Sequence, residues 1–234
     1  MIDFTPPQSL RALSRSAVAG ALLILTLWGK AAGLAQTPAT KPSLLERIRQ
    51  LIGLNRPIAA GGSRSSAALT VCVISPRAEL DSRGKARALL SLPRPTILTA
   101  ASLNEVRIDR DGQPIWRQSA SSTAAIEGPI DWPLDPIRPG EQLTLLLRPR
   151  GASGGDFARI ELTGASASEM EANQSLITRL GSNGNAWLKA VDQALDDGNI
   201  SLGWGILFNP ESPKSLGLNE LREALKRQGC DGSR

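Results

Sequence analysis

Between residues 95 and 162 apolar and polar positions alternate in short runs broken by turn residues, a rhythm that predicts antiparallel β-structure. In residues 104–110, Val106 and Ile108 fall on one side of an extended chain and Arg107 and Asp109 on the other. This is the period of two of a half-buried strand. Asp111-Gly112 follows and a second run, residues 113–118, begins directly after it. The pair predicts a hairpin, because glycine accepts the positive φ that a tight turn imposes. Pro114 has no N–H to give to a ladder, so the second strand belongs at a sheet edge or begins after the proline. Leu143, Leu145 and Leu147 alternate in a further strand, where Leu146 asks for cover on the opposite face, a role open to the helical tail. Ala158, Ile160 and Leu162 mark another, and residues 69–74 and 96–101 two more. Residues 77–92 alternate charged and small residues and predict no definite element. Six or seven short strands predict a mainly β fold over residues 67–165, an immunoglobulin/fibronectin-like antiparallel β-sandwich.

The periodicity is helical on either side of this block. Leu44, Leu45, Ile48, Leu51 and Ile52 recur at helical spacing after Ser43, with Glu46 three residues on. The pattern predicts a capping box and a short amphipathic N-terminal helix over Leu44–Ile52, stopped by Gly53. About nine residues cannot hold a helix alone in water, so its apolar face must be covered. It lies inside a Pro-, Gly- and Ser-rich linker, residues 36–66. Beyond residue 165, residues 168–180, 186–195 and 219–228 predict a C-terminal helical extension packed on the sandwich. The apolar run 200–208 reads as a short strand or extended segment.

Composition narrows the chemistry. The 234 residues include no His, no Tyr and two Cys. Without histidine the commonest general base, the usual zinc ligand and any Ser-His or Cys-His pair are missing, so no metal site, no cofactor and no enzyme are expected. At the N-terminus Arg11 and Arg15 precede an apolar run over 17–29, and Gly33-Leu34-Ala35 places small residues at a cleavage position. That layout predicts a signal peptide over 1–35 and a periplasmic or secreted product cut near Ala35. The run is shorter than the roughly 20 residues a spanning helix needs, and the competing reading is an uncleaved anchor. Residues 41–87 carry nine Lys or Arg against three acids within a chain of net charge +5. An anionic membrane surface is one partner for such a stretch, and a merely solvated leader is the competing reading. Nucleic acid is not expected, since no reading motif occurs.

The candidate binding residues lie in the loop 127–141, which holds four prolines. Each fixes its own φ and stiffens the loop, so Trp132 beside Asp131 and Asp135 makes a rigid binding surface, with Trp116 contributing from the edge strand. In the opposing reading Trp132 plugs the end of the sandwich and the acids face water. Cys72 and Cys230 form a possible disulfide in an oxidising compartment. Ser82 and Lys85 match Ser-x-x-Lys without its partner motifs, and Asp192, Asp196 and Asp197 do not follow the calcium-loop pattern, so both groups are expected to be solvated.

The signal, Gly61-Gly62-Ser63-Arg64, Arg94-Pro95-Thr96, the hairpin and the Pro139-Gly140-Glu141 approach to the late strand together resemble an uncharacterised family of exported cyanobacterial proteins. The resemblance implies an Ig-like sandwich outside the cytoplasm and carries no site or activity across. The expected function is therefore an exported, non-enzymatic binding or scaffold module of the cell envelope, with an envelope protein or glycan as partner. Two other classes remain: an envelope-glycan hydrolase using paired carboxylates, and a membrane-peripheral structural protein using residues 44–52.

Overall fold

The computed structural model describes residues 43–52, 58–60, 69–152 and 154–228. The expected signal peptide, most of the linker and Cys230 lie outside the described residues. The first helix, α1 (Leu44–Ile52), follows the predicted bounds. Both arms of its capping box are made: the Ser43 amide donates to Glu46 Oε2 at 2.8 Å and the Glu46 amide to Ser43 Oγ at 3.2 Å.

Ten strands follow. β1 (Ile58–Ala60) occupies part of the expected linker and pairs antiparallel with β2 (Leu69–Val71). The run 69–74 is broken at Cys72 into β2 and β3 (Val73–Ser75), and β3 pairs with the two residues of β6 (Leu98–Thr99). The main sheet has six strands: β4 (Glu79–Leu80), β5 (Ala86–Leu90), β7 (Leu103–Arg110), β8 (Gln113–Ser119), β9 (Gln142–Pro149) and β10 (Ala158–Gly164), in the order β4-β5-β10-β9-β7-β8. The segment 77–92 thus holds an edge hairpin. Its turn is closed by the Asp81 carboxylate, which accepts from the amides of Arg83 at 2.8 Å and Lys85 at 2.9 Å.

Two features depart from a mainly β, antiparallel sandwich. β5 and β10 run parallel, from Ile160 against Ala86 to Gly164 against Leu90, so the main sheet is mixed. Strand and helix also contribute in nearly equal measure. Parallel pairing depends on a crossover between segments distant in sequence, which alternation within either strand does not report.

The hairpin is as predicted. Asp111 and Gly112 both have positive φ, 51° and 77°, the turn whose twist matches its flanking strands. β8 is an edge strand with Pro114 at a register shift. At the far end of β10, Gly164 is required because the Arg138 carbonyl oxygen occupies the place a Cβ would take.

Alternation sorts the sheet into two faces. Ala88, Val106, Ile108, Leu145, Ile160 and Leu162 are buried together, and Ile58 and Val71 close over them as β1 and β2 lie against β9 and β10. On the other face Leu146 is fully buried yet belongs to neither apolar cluster. Its register neighbours there are Arg107 and Arg159, so its cover does not come from the helical tail. Beside it Glu105, 2% exposed, receives Arg117 at 2.7 Å and also Arg148. Asp109 is gripped by Arg107 at 2.8 and 2.9 Å, and Arg107 and Arg148 both lie over the Phe157 ring.

Four more helices follow among the described residues: α2 (Ala167–Leu180), α3 (Gly184–Asp196), α4 (Ile200–Leu207) and α5 (Leu216–Gln228). The run 200–208 is thus helical, correcting the strand reading. An apolar segment buried on all sides has no period to distinguish the two, and the Asn199 side chain starts the helix by accepting from the Leu202 amide at 3.1 Å. The helices share a second apolar core with Ile48, Ile74, Leu92 and Leu98. Arg47 of α1 pairs with Asp192 and Asp196 of α3, so these two acids are ion-paired instead of freely solvated. Among the described residues no helix is long and apolar enough to cross a membrane.

Candidate functional site

The helical layer meets the sheets around a small cavity. Its walls come from the end of β3, the chain leaving β5 and one side of α4. Each wall is pinned by a polar contact to another element. Trp204 Nε1 donates to the Ile74 carbonyl at 3.1 Å, Thr96 Oγ1 to the Phe208 carbonyl at 2.6 Å, and Asn173 Nδ2 to the Ser91 carbonyl at 3.0 Å. On the α4 side Gly205 brings helix backbone close, since a Cβ there would meet Leu92 at 3.1 Å.

Arg77 enters this cavity directly after the strand and Pro76. Its side chain is only 5% exposed, and the guanidinium carbon lies 5.4 Å from the centre of the Trp204 ring. Glu79 approaches Nε at 3.6 Å, too far for a hydrogen bond, and is itself 72% exposed. Nε and Nη1 have no hydrogen-bond partner among the described residues. Burial pushes the Arg77 guanidinium below its ordinary value, against an opposing pull from Glu79. A guanidinium stays charged throughout the physiological range, so a cation with unused donors stands in a low-dielectric setting. Arg94 also lines the cavity, and none of the described residues lining it carries a carboxylate. Ser75, Ser91 and Ser201 add hydroxyls, Pro76 is a buried part of the wall, and the exposed Leu89 and half-buried Pro95 form an apolar rim.

The candidate binding loop takes the arrangement of the opposing reading, with its tryptophan inward and its acids toward water. Trp132 is 6% exposed, packs in the sheet core and donates from Nε1 to the Asp135 carbonyl at 2.9 Å. Asp131 and Asp135 are exposed. Trp132 and Asp135 share a pocket of about 160 Å³ with Arg110 and Glu141, which Asp131 and Trp116 do not line. Trp116 is half-buried against the same core from β8. Nothing in the sequence singled out Arg77: one more cation in a basic stretch looks solvated until the tail is folded over it.

Glu141 in this loop accepts from the Arg138 amide at 2.8 Å and pairs with Arg110 at 2.5 Å. The Arg138 amide first, and Arg110 after it, hold its carboxyl below the usual range. A carboxylate depressed on folding contributes stability above its unfolded pKa of about 4.3 and loses it as pH falls through the folded value. Urea unfolding is therefore expected to weaken from about pH 4.3 downward. Glu141→Gln should lower stability at pH 7 and flatten that decline; equal slopes for both proteins would refute the assignment.

Cys72 is buried, and no cysteine among the described residues is free. Ser82 is exposed in the β4–β5 turn. Among the described residues no group of three or more acids or cysteines is placed to hold a metal ion. No family model, curated protein or solved structure matches the chain.

Proposed function

We propose that the protein is an exported, non-enzymatic binding module of the cell envelope, and that its binding site is the Arg77 cavity, which takes an anionic group. The observation that carries this reading is the buried guanidinium with two nitrogens lacking a hydrogen-bond partner among the described residues. Leaving charged donors unmet costs stability, and an incoming oxyanion offsets that cost. Concave, mostly apolar sites with a few convergent polar groups are the usual form of a ligand pocket.

The hydrolase alternative fares less well on chemistry. Glycoside hydrolysis needs one carboxyl held protonated by a raised pKa, whereas Glu141, the partly buried acid beside Asp135, is shifted downward. An Ig-like sandwich and a Cys72–Cys230 disulfide are part of the same proposal. They are supported by the apposition of β1 and β2 on β9 and β10 and by the burial of Cys72. The bond would tie the chain end to the strand bearing Ile74, against which α4 is anchored.

Calorimetric titration of the full chain with acetate, phosphate and sulfate tests the site. At least one anion is expected to bind with millimolar affinity or better, and Arg77→Gln to weaken it tenfold or more. Equal binding by the parent and the variant would overturn the reading. Arg77→Lys, which keeps the charge, should retain part of the affinity and guards against a folding artefact.

A further inference from the structure

The cavity is small and its surroundings are uneven, and both properties constrain what enters. Its volume of about 20 Å³ holds little more than one water, so only the head of a ligand reaches Arg77. The remainder must lie along the rim. There Leu89 is 49% exposed although it projects from a strand inside the main sheet, and the half-buried Pro95 lines the same cavity. Exposed large apolar residues are few among the described positions, which makes one at the mouth of a cationic cavity informative.

The polar groups exclude several ligand classes. Arg77 and Arg94 line the site and no lining residue among those described carries a carboxylate, the nearest being the exposed Glu79 at 3.6 Å from Arg77 Nε, so the balance of charge favours an anion. Thr96 Oγ1 and the Ser91 carbonyl are already committed within the protein, and the hydroxyls of Ser75, Ser91 and Ser201 line a volume too small to admit a sugar ring. The aromatic face nearest the cation, Trp204, is stacked against Arg77 and is 2% exposed.

Resting on the binding reading above, we infer that the ligand is an amphiphilic carboxylate, its head group on Arg77 and its apolar chain leaving across Leu89 and Pro95. The source is either a fatty acid or the carboxyl terminus of an apolar peptide, which share this chemistry. Chain burial at the rim adds affinity by removing apolar area from water, and the guanidinium supplies orientation through charge-assisted hydrogen bonds.

The experiment titrates the full chain calorimetrically with acetate, octanoate, octanamide, octyl phosphate and N-acetyl-Leu-Leu as its free acid and its amide. Octanoate or the peptide acid is expected to bind at least tenfold more tightly than acetate and than its own amide, and the tighter of the two identifies the source. Arg77→Gln should reduce the acid to the level of the amide. Leu89→Asn, at an exposed position and without a change of charge, should weaken the long acid about tenfold and acetate far less. Equal affinity for acetate and both long acids, or a tenfold preference for octyl phosphate, would overturn the inference while the anion site stands. Binding of every probe that is indifferent to Arg77→Gln and Arg77→Lys would remove the site itself.

Discussion

Trp204→Ala is expected to lower the unfolding free energy by about 3–5 kcal/mol, the usual range for truncating a large buried aromatic side chain. The ring is 2% exposed, sits in the helical core beside Ile206 and Leu207, and donates its indole N–H to the Ile74 carbonyl across the layer boundary. Truncation leaves a cavity and an unmet carbonyl, and removes the face on which Arg77 rests. Trp204→Phe keeps most of the volume but loses the hydrogen bond, so a smaller loss of about 1 kcal/mol is expected. Denaturant unfolding monitored by circular dichroism separates the two. A Trp204→Ala loss no greater than that of Trp204→Phe would mean that α4 does not depend on this anchor.

The second large effect is expected at Glu105. Its carboxylate is almost wholly buried on the outer face of the sheet, yet the cations that hold it differ sharply: Arg117 is 59% exposed and Arg148 21%. Glu105→Gln keeps the shape and removes the charge that both arginines address, with an expected cost of about 2–3 kcal/mol. Arg117→Ala should cost under about 1 kcal/mol, because an exposed partner is screened by solvent. Arg148→Ala should fall between them, since that side chain also lies over Phe157 and donates to the Gly154 carbonyl at 3.1 Å. Denaturant unfolding of the three variants checks the descending order of cost, Glu105→Gln first, then Arg148→Ala, then Arg117→Ala. If Arg117→Ala proved the costliest, the network would not be centred on the buried carboxylate.

The reach of sequence reasoning varied with the distance over which each element is specified. The Asp111-Gly112 hairpin needs four neighbouring residues to choose one turn, and the capping box of α1 needs Ser43 and Glu46; both were legible. The run 200–208 was not, because a helix buried on every side shows no polar face. β1 and the β4–β5 hairpin were missed because short strands gain their pairing from partners elsewhere in the chain. The candidate site was the least legible part. Trp132, which the sequence left open between a surface position and an inward plug, turns inward and spends its indole N–H on the Asp135 carbonyl of its own loop.

By itself the sequence determined the alternation of the central strands, the Asp111-Gly112 turn, the capping box of α1, and that no histidine chemistry is available. All of these depend on residues within a few positions of one another or on composition. Only the tertiary structure decided that β5 lies parallel to β10, that arginines and not helices shield the outer face beside Leu146, and that Arg77 is enclosed with donors unspent. Those outcomes arise when segments far apart in the chain exclude water from the same place, and the burial of a charge is a property of what surrounds it.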